Sequence, residues 1–322
     1  MRLINNSATS HHLPKLSIYL IVIVLLVGTV SCDIGERIDD DSWTGGNWTS
    51  ITQLAAGYFH TVGLRFDSTV LAVGYNSAGQ CEKVSSWVDV AEVAAGRSHT
   101  VGLEYDGTVI VVGGTYYGQC DVDGWTDITQ VDAVDNHTVA LKSDGTVLAV
   151  GYNQWRQCDV GNWTEINQIC AGGRHTVGLK SDGTVVATGN NDDGQCSVGN
   201  WTCIAQVSAG TIHTVGLAYN GTVTAVGWND NGQCNVGGWT NITQVSGGRW
   251  HTVGLKSDGT VVAVGLNEQG QCNVDGWTDI VQVAAGGYHT VALKSDGTVV
   301  GTAISNCPDG YPCDFGQCDF NY

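Results

Sequence analysis

Residues 282–300 read Gln-Val-Ala-Ala-Gly-Gly-Tyr-His-Thr-Val-Ala-Leu-Lys-Ser-Asp-Gly-Thr-Val-Val. Two short runs rich in β-branched residues flank Asp296-Gly297, a strong hairpin signal that predicts a type I′ turn, with φ > 0 at both central residues. The stretch is one copy of a repeat. His-Thr pairs recur at His60, His99, His137, His175, His213, His251 and His289, spaced by 39 and then by 38 residues. A tryptophan keeps step (Trp48, Trp87, Trp125, Trp163, Trp201, Trp239, Trp277), and so does Gln-Cys (Cys81, Cys120, Cys158, Cys196, Cys234, Cys272, Cys318). The last cysteine spacing is 46, so the seventh copy carries an insertion.

Each copy parses into four short strands. In the sixth they are expected over 239–246, 251–256, 260–264 and 271–274, with Ser257-Asp258-Gly259 as the central turn. Asn220-Gly221 replaces the turn in the fifth copy, and Asp67-Ser68 is a weaker version in the first. Nothing after residue 32 has helical periodicity. A unit of 38 residues cannot bury both faces alone, and radial stacking of several units leaves only short, protected edges. A linear solenoid would need polar capping repeats, and neither end offers one. The expected fold is all-β: a seven-bladed β-propeller with four antiparallel strands per blade, over 48–322. Its 45 glycines and 3 prolines suit many tight turns.

The His-Thr motif, the Asp-Gly turn and the Gly-x-Asn-x-x-Gly-Gln loop (265–271) together resemble the repeats of the regulator of chromosome condensation family of seven-bladed propellers. Two features depart from that pattern. Gly-Gln-Cys stands where the family has Gly-Gln-Leu-Gly, and valine (Val73, Val150, Val226, Val264) replaces the tryptophan of the third strand. The chain looks most like exported bacterial members and is also similar to propeller-type β-lactamase inhibitory proteins. The family's eukaryotic founder activates a small GTPase, but none of its exchange residues can be matched here, and fold alone does not transfer function.

The N-terminus reads as an export signal over 1–31. Arg2 and Lys15 precede an apolar run over 16–30, which is short of the roughly 20 residues a spanning helix needs. Cys32 follows Thr29-Val30-Ser31 and resembles a bacterial lipidation site; an ordinary cleaved signal or an uncleaved anchor are the alternatives. Residues 32–47 form an acidic tether. All 31 acidic residues lie after Cys32, and the whole chain carries −18. Such a surface repels phosphate backbones, so no nucleic acid partner is expected, and membrane contact only through the N-terminal anchor.

Seven histidines invite a metal hypothesis, but equivalent positions on stacked sheets lie too far apart to converge on zinc, whose ligands sit about 2.0 Å from the ion. A local hydrogen-bonding role fits better. The repeated Gln-Cys cysteines read as small, buried hydrophobes. Cys170 and Cys203 are offset by five residues, roughly 16 Å along a strand, too far for a disulfide. Cys307 and Cys313 bracket a short loop in the seventh-copy insertion and are the disulfide candidate. The loops at Asn190–Asp193 and Asn229–Asn231 lack the terminal glutamate of a calcium loop and suit ordinary turns.

No nucleophile elbow, His-Glu-x-x-His or phosphate loop occurs, so the chain is read as a non-enzyme that needs no cofactor. Its loops differ sharply between the two ends of the blades. The Asp-Gly end is monotonous, whereas the residues before His-Thr and before Gly-Gln vary and are rich in aromatics and arginine. Phe59, Tyr116, Tyr117, Trp155, Arg156, Trp228, Arg249, Trp250 and Tyr288 are therefore the candidate partner-binding residues, of the types that dominate interfaces. The expected function is an extracytoplasmic, monomeric scaffold presenting that face to a protein partner. Inhibition of a secreted or periplasmic enzyme, and a hydrolase or lyase activity on surface polymers, are the two rivals.

Overall fold

Every copy places a β-branched or leucine-rich run on either side of a turn that brings it back, and each folds as a separate antiparallel sheet. The computed structural model describes residues 48–302 together with 317, 318 and 320. The sheets hold three strands each among these residues, not the expected four. In the first blade they are Ile51–Ala56, His60–Arg65 and Val70–Gly74; in the seventh, Ile280–Ala285, Thr290–Lys294 and Val299–Gly301.

The missing fourth strand has a physical cause. The Gln-Cys backbone is already committed to turns and side chains, which leaves no free edge for a ladder. In the sixth copy the Cys272 amide donates to Asn267 Oδ1, and the Gln271 carbonyl accepts from the Thr290 hydroxyl of the next blade. The Cys272 thiol donates to the Leu266 carbonyl at 3.3 Å. Asn191 and Asn229, in the loops weighed for calcium, brace their turns as Asn267 does.

A second correction concerns the Asp-Gly hairpins. Only the glycine takes a positive φ (84° at Gly107), while Asp106 does not. The Gly107 amide bonds the Glu104 carbonyl, so the turn is the wider form in which glycine follows a type I turn. The aspartate instead accepts from both the amide and the hydroxyl of the next threonine, here Thr108 at 2.9 and 2.7 Å.

Seven apolar clusters replace a single core, and each lies between two adjacent sheets. One joins Val62 and Leu64 of blade one to Val90 and Val93 of blade two. Another joins Leu54 and Val73 of blade one to Val291 and Leu293 of blade seven. The contacts thus run through all seven sheets and return to the first, the arrangement of a seven-bladed propeller, although the sheets are not hydrogen-bonded into one barrel. First strands of neighbouring blades touch one another and surround the axis. Residues 317, 318 and 320 contain no strand. They do pack on the first blade: Phe320 meets Trp48 edge-on at 5.0 Å.

The blade-to-blade joints repeat as well. A glutamine on the first strand clasps the backbone of the next first strand with both ends of its amide. Gln168 accepts from the Val207 amide at 2.9 Å and donates to its carbonyl at 3.1 Å. Gln282 does the same to Leu54, from the last blade to the first. Residues 1–47 and 303–316, and with them Cys32, Cys307 and Cys313, lie outside the described residues.

Candidate functional site

The seven histidines form a buried belt. His60 Nε2 lies 3.0 Å from the Thr100 hydroxyl of the next blade, and the six others repeat the contact at 2.8–3.1 Å. Each threonine hydroxyl also donates to a Gln carbonyl of the preceding blade at 2.7–2.8 Å. A hydroxyl has one proton, so Nε2 must be the donor to the threonine oxygen, which fixes the tautomer with hydrogen on Nε2. Burial, with repulsion from neighbouring histidines, pushes His60, His99, His175 and His251 down to about 3. Burial likewise holds His137, His213 and His289 at about 4. These rings are neutral and bonded within the fold, and act as structural ties.

The thiols are structural too. Burial raises Cys81, Cys158 and Cys272 to about 12, which leaves them unreactive. Of the seven repeat cysteines only Cys81 is fully buried; the others are partly buried. Cys170 and Cys203 are both free, one buried and one exposed.

Two carboxylates in the wall of first strands are perturbed: burial raises Glu92 to about 8 and Asp132 to about 6, and Asp132 adds to the shift of Glu92. A pair pushed apart in this way is also what a glycosidase uses. Here both are spent on the fold. Asp132 accepts from the Ala133 and Ala171 amides at 2.8 Å each, and Glu92 accepts from the backbone of Val131.

The loops before His-Thr and after the third strand share one end of the blades. Tyr58 lies over the axis, its hydroxyl 3.1 Å from Thr211 Oγ1 of the fifth blade. The cavity left beside it is about 20 Å³, room for one water. The Arg97 and Arg249 guanidiniums lie 5.6 and 5.3 Å from the centre of the Tyr58 ring. Arg97 pairs with Asp135 at 3.8 Å, and Arg249 bonds the Tyr288 hydroxyl.

Eight of the nine residues singled out in the sequence fall into three ring groups on this end. Phe59 stacks on Tyr288 at 5.4 Å, and Arg249 lies 5.0 Å from the Tyr288 ring and 5.1 Å from that of Trp250. Trp228 meets Trp250 at 4.8 Å, extending that group. Tyr116, Tyr117 and Tyr152 form a separate cluster beside a groove lined by Arg97 and Asn136. Arg174 covers Trp155 at 5.5 Å. Arg156 joins none of these contacts; it is exposed, at φ 66°, where the six other copies have glycine.

Sequence reasoning passed over Tyr58, Arg97, Asp135 and Arg174, which hold the centre of the face. They occupy the same repeat positions as Phe59, Arg249 and Tyr288, so comparing copies position by position would have found them. It also missed Phe66, Tyr105 and Tyr219, which are 72–81% exposed beside the Asp-Gly turns, so that the opposite end is less uniform than its motif suggests.

The fold is similar to several solved propellers. Prp20p from Saccharomyces cerevisiae, whose binding to Gsp1p and histones has been characterised, matches at TM-score 0.64 and 17% identity, over 80% of this chain and 83% of that one. The ectodomain of the Physcomitrella patens receptor kinase CR4 matches at 0.67 and 20%, over 81% and 76%. Human WBSCR16 matches at 0.63 and 19%, over 77% and 88%. No curated protein sequence matches the chain significantly. The model of the regulator of chromosome condensation (RCC1) repeat matches seven times, at 51–80, 90–119, 128–154, 166–195, 204–233, 242–271 and 280–302. This chain belongs to the RCC1 repeat family.

Proposed function

We propose that the protein is an exported, membrane-tethered scaffold that binds a protein partner on the face carrying the Tyr58 rim and its aromatic groups. The observation that carries this is the contrast between a buried, sevenfold-repeated frame and one end where the repeat is broken by clustered aromatics and arginines. Frame residues repeat because packing demands it; packing does not demand Tyr116, 88% exposed, or Trp155, 38% exposed. Tyrosine, tryptophan and arginine are the residues that anchor protein interfaces. The tether reading rests on the apolar run at 16–30 and on Cys32.

The test uses the full chain carrying a photo-crosslinking phenylalanine derivative at Tyr117 or Trp155, and at Phe66 or Tyr219 on the opposite end. Partner adducts are expected from the first pair only. Adducts from the second pair alone, or none from the first, would overturn the assignment. Separately, the wild type should partition into detergent and carry a diacylglyceryl mass, and Cys32→Ala should do neither; an unmodified Cys32 would refute the lipid anchor.

A further inference from the structure

Six copies have glycine three residues before the histidine, for a steric reason: a Cβ at Gly57 would lie 2.4 Å from a ring carbon of His60. The third copy has Val134 there. Its first strand, Ile128–Val134, is one residue longer than the others; Val134 pairs with His137, and the chain turns through Asp135 at φ 50°. This departure sets a carboxylate on the rim of the axis, at the position that holds Tyr58, Arg97, Thr211 and Arg249 in other copies.

The Arg97 guanidinium pairs with that carboxylate at 3.8 Å, and the charges of Arg249 and Arg174 act on it as well. Burial pushes Asp135 up, while the charges of Arg97, Arg249 and Arg174 draw it back. With Asp135 ionised, two positive charges stay uncompensated in the cluster, on a chain of net charge −18. Arg249 is clamped between Tyr58, Trp250 and Tyr288, and its buried Nε has no hydrogen-bond partner among the described residues. Arg97 and Arg174 are exposed. Tyr58 closes the axis beneath, so a ligand must arrive from above.

We propose that this rim receives a carboxylate side chain of the protein partner, an aspartate or glutamate flanked by apolar residues, seated against Arg97, Arg174 and Arg249. The guanidinium fork matches a carboxylate in two parallel hydrogen bonds. A nucleic acid or other polyanion would meet repulsion from the acidic surface beyond the cluster, whereas one carboxylate needs only the local field. The Phe59–Tyr288 stack and the Trp228–Trp250 pair offer apolar contact beside it.

The proposal rests on the loop face being the binding face, and its test is separable from that reading. Full-length protein with ¹⁵N-arginine is titrated at low salt with acetyl-Ala-Leu-Glu-Leu-Ala-amide and with its glutamine analogue. The glutamate peptide should shift the Nε–H signals of all three arginines and the analogue should not. Arg97→Gln with Arg174→Gln, two exposed sites, should weaken binding about tenfold while the melting temperature holds, and Asp135→Asn should strengthen it. Equal binding of both peptides, or unmoved arginine signals, would overturn the proposal. Crosslinking at Tyr117 that survives the double arginine variant would defeat the carboxylate site and leave the scaffold standing.

Discussion

Thr61 of the first blade and His289 of the seventh are 228 residues apart in sequence, yet their hydroxyl and Nε2 lie 2.9 Å apart. The Thr61 hydroxyl donates in turn to the Gln317 carbonyl at 2.7 Å. This contact repeats, between the chain's first and last blades, the bond that joins every other neighbouring pair. The ring closes with the device that builds it.

Replacing Thr61 with valine keeps the shape but leaves a buried imidazole N–H and a buried carbonyl without partners. Each costs about 1–3 kcal/mol, so Thr61→Val should lose about 3 kcal/mol, and Thr176→Val inside the ring a similar amount. Thr61→Ser keeps the hydroxyl and should recover most of that loss. Urea unfolding midpoints measure all three; a silent Thr61→Val would mean that the ring closes by other contacts.

The histidine belt makes the protein sensitive to acid. Its folded values of about 3 to 4 lie below the unfolded value near 6.5, so in between the unfolded chain binds more protons. The belt's contribution is complete above pH 6.5 and should fall as pH drops toward 4, by up to about 1.4 kcal/mol per histidine per unit. A melting temperature that stays flat between pH 6.5 and 4.5 would contradict this. Nitrogen NMR at pH 7 should show all seven rings protonated at Nε2.

Glu92 works in the opposite direction. It replaces the clasping glutamine in blade two, and only its protonated form matches an amide in offering one donor and one acceptor. Its folded value of about 8 lies above the ordinary carboxylate range, so its contribution is present at low pH and is lost as pH rises through 8. Glu92→Gln should therefore match wild type at pH 5 and melt higher at pH 9. Equal melting at pH 9 would show that the proton on Glu92 does not matter.

Arg156 occupies a left-handed position where the neighbouring copies place glycine. A side chain there costs about 1 kcal/mol, so Arg156→Gly should stabilise the protein by roughly that amount. Ser68, at φ 66° in the first Asp-Gly turn position, should respond to glycine in the same way. Loss of stability in Arg156→Gly would reveal a compensating contact of the arginine.

Periodicity by itself determined the blade count, the order of the elements and the structural character of His, Thr and Cys. A position filled alike seven times answers to the frame, and a 38-residue unit with one hairpin has few ways to bury its faces. Local pattern misjudged the fourth strand, because the groups that occupy the Gln-Cys backbone, Asn267 and Thr290 among them, come from a loop and from the next blade. It misjudged the Asp-Gly turn because the strand register after Glu104 sets the turn's width, and that register depends on pairing. The candidate face was half legible. Phe59, Arg249 and Tyr288 stood out by residue type, whereas Tyr58, Arg97, Asp135 and Arg174 matter through convergence around one axis. Their meeting needs the ring to close, since Tyr58 and Thr211 lie 153 residues apart and only curvature accumulated over the blades brings them to 3.1 Å.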